Sequence, residues 1–291
     1  MEGPLALCRF AQFASLLFLF GASLHIAAFA PADLARDLGR RLWRPAIGAA
    51  FVAMLAGLIW LPLESASMGA GWADAANLSK WNDVRMGTEF GALWQARCAL
   101  LAFLLVAVAF ARGGHWAWVV AASALALASL AFTGHARLQD GWLGALHRAN
   151  DATHLLAAGA WVGGLVAFAL DLARYDDPAL GAFARLAARR YSAWGHGFVA
   201  LVVATGVANA AMTLQVPTPL VASPYRALLL AKIVVVAAMV LTALFNRYVL
   251  VPRLSRDGRA LGALKANGLA EVVGAAVVVG LVSVFGQLSP M

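Results

Sequence analysis

The chain has 291 residues, of which 63% are hydrophobic and 12% charged, and its formal net charge is +8. Soluble proteins average about 45–50% apolar and about 25% charged residues, so this composition excludes a soluble enzyme or binding module and defines an integral membrane protein. The excess positive charge sits in the connections between apolar stretches, where it reports membrane topology rather than a nucleic-acid partner.

A helix needs about 20 mostly apolar residues to cross a bilayer. Stretches near 8–29, 45–63, 92–111, 116–134, 149–171, 193–213, 227–250 and 268–287 meet that requirement. Their length and lack of alternating polarity predict helices rather than strands. The expected fold is therefore all-α: a polytopic membrane helical bundle with about eight transmembrane helices, forming one integral-membrane domain over residues 1–291. Gly113-Gly114 predicts a tight hairpin between the third and fourth spans. The first stretch ends in Ala28-Phe-Ala30, which is similar to a signal-peptidase site. It reads as a retained span, because Glu2 and a lone Arg9 do not make a positive leader and Pro31 follows directly.

Connections after the first, third, fifth and seventh spans hold Arg36, Arg40, Arg41, Arg44, Arg112, Arg174, Arg185, Arg189, Arg190, Arg253, Arg256, Arg259 and Lys265. The other side holds Arg9, Lys80, Arg85, Arg137, Arg148 and Arg226. Thirteen against six puts the first set in the cytoplasm and both termini on the periplasmic side. The outer side adds Glu2, Glu64, Asp74, Asp83, Glu89, Asp140 and Asp151, a near-neutral, carboxylate-dotted face that favours cations.

The most informative stretch is the fifth span, His147-Arg-Ala-Asn-Asp151-Ala-Thr-His154, leading to Trp161-Val-Gly163-Gly164. On a helix His147, Asp151 and His154 project from one face. Burying such groups in lipid costs several kcal/mol, so they face protein or water. With His135, at the end of span four, they form an outer group of three imidazoles and a carboxylate, a composition suited to a metal or proton site. Met68 and Met86, in the long outer connection from Glu64 to about Gly91, are candidate soft ligands for monovalent copper. His25 and His196 lie towards the cytoplasm and form a candidate inner site, with a hydrogen-bonded core histidine as the alternative for each. Arg97, Lys232, Arg247 and Glu271 are intramembrane charges that must pair or snorkel, and Glu271 with Arg247 is a candidate ion pair. Cys8 and Cys98 lack any CxxC context and read as buried apolar residues. The small residues Gly159, Gly163 and Gly164 read as close-packing positions.

The chain resembles the copper resistance protein D family of bacterial inner-membrane proteins. The resemblance rests on Thr88-Glu-Phe-Gly91 with Trp94 and Arg97, Thr133-Gly-His135-Ala, Asp151-x-x-His154 with Trp161-x-Gly163-Gly164, Thr205-Gly206 with Asn209, and Tyr225-Arg-x-Leu-x-Leu-x-Lys232 leading to Asn246-Arg247. It implies an eight-span protein that moves copper from periplasm to cytoplasm beside a periplasmic copper-binding partner. The sparse methionines depart from a methionine-lined conduit.

Two functions from different classes follow. One is copper import, with a non-catalytic protein taking up copper ion at His135, His147, Asp151 and His154, helped by Met68 or Met86. The alternative is transmembrane electron transfer by haem b, with His135 and His154 as an outer bis-histidine pair and His25 and His196 as an inner one. No nucleotide-binding loop is present to suggest ATP drive.

Overall fold

The computed structural model describes residues 2–133, 141–214, 223–254 and 258–288. The helices are α1 (Glu2–Leu24), α2 (Ala32–Met68), α3 (Trp72–Ala75), α4 (Leu78–Gly87), α5 (Glu89–Ala111), α6 (Trp116–Ala128), α7 (Gly141–Ala158), α8 (Leu165–Ala173), α9 (Gly181–Thr213), α10 (Pro224–Phe245) and α11 (Gly258–Phe285). Among the described residues there is no strand. Seven helical stretches are long and apolar enough to cross a membrane. The fourth predicted span is the shorter apolar helix Trp116–Phe132, α6 closed by the 3₁₀ turn Ser129–Phe132. At 1.5 and 2.0 Å per residue it is about 27 Å long, close to the hydrocarbon thickness. Gly114, at φ +96°, makes the turn between α5 and α6.

Several helices outrun their apolar windows, because helical hydrogen bonding continues into charged sequence that pairs with itself. In α2, Asp37 accepts from Arg41 Nε at 2.9 Å one turn on, and from Arg174 Nε at 3.2 Å beyond the end of α8. Arg174 reaches on to Asp177 at 3.1 Å.

The long outer connection between α2 and α5 is largely helical. Asn77 caps α4 by accepting from Ser79 N at 3.0 Å, and Thr88 caps α5 by accepting from Gly91 N at 3.0 Å. These are ordinary N-cap signals. Met68 thus ends one helix and Met86 lies within another, and both side chains are exposed.

The centre of the bundle is α1. It packs along α2 and α6 on one side and along α11 and the Gly159–Gly163 turn on the other. That turn is π-helical, as are His25–Phe29 after α1 and Asn246–Leu250 after α10. Contact there is backbone on backbone: a Cβ on Gly163 would meet the Leu17 carbonyl oxygen, and one on Gly21 would meet the Gly159 carbonyl and the Gly163–Gly164 peptide. The close-packing reading of these glycines is what the structure shows.

Arg97 is locked inside the first half of the bundle. It donates to Ser129 Oγ at 3.2 Å, to the Ser129 carbonyl at 2.9 Å and to Thr133 Oγ1 at 3.3 Å, and its guanidinium lies over the Trp60 ring at 5.2 Å. Cys8 is buried and donates to the Ala56 carbonyl, whereas Cys98 is only partly buried; both are free thiols.

Gly21→Ala and Gly163→Ala are each expected to cost more than about 3 kcal/mol, because the added methyl meets backbone that cannot move aside. The yield of monodisperse protein on size exclusion in detergent should collapse for both, while Gly48→Ala, which meets open space, should behave as wild type. Normal yields of the first two would show that the helices are not in this contact.

Candidate functional site

The polar stretch of α7 packs against α9, and the residues facing it there are Thr205, Gly206 and Asn209. Asn150 Nδ2 donates to the Thr205 carbonyl at 2.9 Å and to Asn209 Oδ1 at 2.7 Å. Asn209 Nδ2 donates in turn to Asp151 Oδ1 at 2.9 Å. His154 Nδ1 lies 2.9 Å from Thr205 Oγ1. Gly206 leaves room for the imidazole, since a Cβ there would come within 3.3 Å of His154 Cε1.

This network fixes the His154 tautomer. The single Thr205 hydroxyl proton is directed at the Leu201 carbonyl, 2.5 Å away and one turn back. The hydroxyl oxygen is therefore the acceptor and Nδ1–H the donor. With Nδ1 so assigned, the lone pair falls on Nε2, and a neutral imidazole ligates a metal through such a lone pair.

The predicted outer group is only partly assembled in these helices. His147 is buried, and Asp151 and His154 are partly buried. A shared face is not a shared coordination sphere, because seven residues of helix separate His147 from His154 by about 10 Å along the axis. Among the described residues no three His, Cys, Asp or Glu side chains converge to hold a metal ion. His135 lies outside the described residues.

The inner histidines are not paired with each other. His25 is fully buried, and its Nε2 lies 2.8 Å from Asp171 Oδ2. Its ring packs against Tyr191 at 5.1 Å and Phe29 at 5.7 Å. His196 is exposed, with Nε2 at 3.2 Å from the Tyr248 hydroxyl. The Glu271–Arg247 ion pair is absent as well: Arg247 donates to Ser192 Oγ at 3.2 Å, and Glu271 Oε1 is buried without a hydrogen-bond partner. Both residues line the space between α9, α10 and α11, but Arg247 turns to Ser192 on α9 instead of to Glu271.

Sequence reasoning passed over Asn150, Asp171 and Tyr191. Asn150 adjoins a carboxylate already noted, and Asp171 is an acid inside a span, so both carried a legible signal. Tyr191 carried none.

These features define a polytopic helical membrane protein, many of whose polar side chains are gathered between helices. The copper resistance protein D-like N-terminal domain profile matches residues 1–145, and the copper resistance protein D profile matches residues 185–285. The chain is 35% identical over 254 residues to the inner membrane protein YebZ of Escherichia coli (strain K12), covering 86% of this chain and 85% of that protein. It is 32% identical over 309 residues to copper resistance protein D of Pseudomonas syringae pv. tomato, covering 100% of this chain and 98% of the relative. It is 28% identical over 279 residues to the copper transport protein CutJ of Bacillus subtilis (strain 168), covering 92% of this chain and 51% of CutJ. No solved structure matches it significantly. The chain belongs to the copper resistance protein D family and is a multi-pass membrane protein of copper handling.

Asn209 joins Asn150 to Asp151, so Asn209→Leu orphans two polar groups at a cost of about 1–3 kcal/mol each. Thermal unfolding in detergent should show a clearly lowered midpoint, whereas Val207→Ala, exposed on the same helix, should not. An unchanged midpoint for Asn209→Leu would mean that α7 and α9 do not meet through this network.

Proposed function

We propose that this protein sits in the bacterial inner membrane with both termini in the periplasm and imports copper, taking the ion up at the outer ends of α7 and α9. The observation that carries the reading is the Thr205 hydroxyl bonded to His154 Nδ1, which presents Nε2 as a neutral ligand. Asp151 lies one turn away on the same helix and supplies a carboxylate to the same ion. His147, two turns before His154, and His135 are the earlier stations of the route. Met68 and Met86, exposed between α2 and α5, serve as outer collecting ligands for monovalent copper. A periplasmic copper-binding protein is the donor in this scheme.

Family membership supports the metal, and the residues support the place. Imidazole and carboxylate ligands suit several transition metals, so copper rests on the relatives, two of whose names refer to copper resistance or copper transport. The haem b alternative is disfavoured at its inner pair, because His25 and His196 bond to Asp171 and Tyr248 respectively.

His154→Ala is expected to lower cellular copper accumulation to the background of a strain lacking the protein, at normal abundance in the membrane. Thr205→Val, which keeps the shape and removes the bond to Nδ1, should weaken copper binding by about 10–100-fold. Copper accumulation in radiotracer uptake that is indifferent to both substitutions would contradict the proposed site. A Soret band in the purified protein would favour haem instead.

A further inference from the structure

A second polar region, separate from the α7–α9 network, surrounds Glu271. Its residue is only 4% exposed, and it lies in the apolar part of α11, where an ionised carboxylate is costly. Oε1 has no hydrogen-bond partner, and no ion pair involving Glu271 is formed among the described residues. Yet the side chain lines a cavity of about 290 Å³ whose walls are otherwise mainly apolar, with Trp161, Leu165 and Phe168 on one side and Val240 and Leu244 on another.

The groups around Glu271 can be named element by element. From α9 come Tyr191, Ser192 and His196, and from the π turn after α10 come Asn246 and Arg247. Each is engaged elsewhere: the Tyr191 hydroxyl with the Trp161 carbonyl, Ser192 with Arg247, His196 with Tyr248, and Asn246 with Asn267. Behind Tyr191 lie His25, from the π turn after α1, and Asp171, from α8. There too His25 Nδ1 and Asp171 Oδ1 are buried without partners. All three π-helical turns contribute to this region, through His25, Trp161 and Arg247. Such turns concentrate at functional sites.

A buried acid that forms no ion pair among the described residues, facing a cavity with room for several waters, is suited to exchange one small ligand, the proton. We infer that Glu271 is a proton-binding site of this protein, loaded and unloaded through the cavity bounded by α9, α10 and α11. It names the coupling ion for the copper movement proposed above, and in that respect rests on it. The reaction is complete as written: the carboxylate takes a proton from water to become the carboxylic acid and returns it on release.

The first arm does not depend on copper transport. The full-length protein in lipid vesicles is treated with dicyclohexylcarbodiimide, an apolar reagent that adds to a protonated carboxyl in a membrane site. The acid oxygen bonds to the carbodiimide carbon, the acid proton moves to nitrogen, and rearrangement leaves a stable N-acylurea with no group lost. Peptide mass spectrometry should place the label on Glu271, falling at least about tenfold from about pH 5 to about pH 9 as the acid ionises. Glu271→Gln, isosteric and uncharged, should remain folded and unlabelled at this position. Sodium, potassium or monovalent copper should not protect. Absence of label at Glu271, label indifferent to pH, or protection by one of those cations would overturn the inference.

A second arm separates the two readings. An imposed pH gradient should change copper uptake into wild-type proteoliposomes at least about threefold and leave Glu271→Gln unaffected. Equal sensitivity in both would overturn Glu271 as the coupling site with copper import intact. Absence of copper uptake by wild type, with the label present, would remove copper import and leave the proton site standing.

Discussion

The bundle depends on one contact, the apposition of α1 with the glycine turn Gly159–Gly164. There the two backbones meet with no side chain between them. The approach joins the stretch matched by the N-terminal profile to the stretch that follows it, and it draws the end of α1 against α8. Only at that separation does the His25 imidazole reach Asp171 at 2.8 Å. The same turn turns the Trp161 carbonyl towards the Tyr191 hydroxyl and packs Gly164 against the Tyr191 ring. Lipid supplies no hydrophobic force between helices, so small residues and buried hydrogen bonds are what hold such a contact.

Around it the polar residues divide into groups with different consequences. Arg97 is answered by Ser129 and Thr133 and lies over Trp60, which ties α5 to the end of α6; this is architecture. The α7–α9 network ties its members to one another, and with Nδ1 of His154 assigned as a donor the lone pair of the ring falls on Nε2. Glu271 differs from both, because its Oε1 is buried with no hydrogen-bond partner among the described residues. An apolar bundle can carry a few such groups only where they face space within the protein, and the cavity beside α9 is that space.

The helical class and the places of the eight apolar stretches were legible in the sequence, because run length alone decides what can cross a bilayer. Helix ends were less so. Windows of hydropathy stop at the first charges, whereas α2 continues through Asp37 and Arg41, which pair with each other. Asn77 and Thr88, read with their neighbours, carried the capping signals that make the outer connection helical. At the site, the face shared by His147, Asp151 and His154 could be read from spacing, but their partners on α9 could not. Nothing in Thr205-Gly206 and Asn209 announces that one hydroxyl sets a tautomer fifty-one positions away. Glu271 was visible as an intramembrane charge, but the hydrogen bond that draws Arg247 to Ser192 on α9 was not.

The account turns on His154 presenting an unprotonated Nε2 to copper between α7 and α9. Copper K-edge X-ray absorption of purified protein loaded with monovalent copper tests this directly. The account predicts outer-shell scattering from imidazole carbons that is lost in His154→Ala. A spectrum dominated by sulfur, or one unchanged by that substitution, would contradict it.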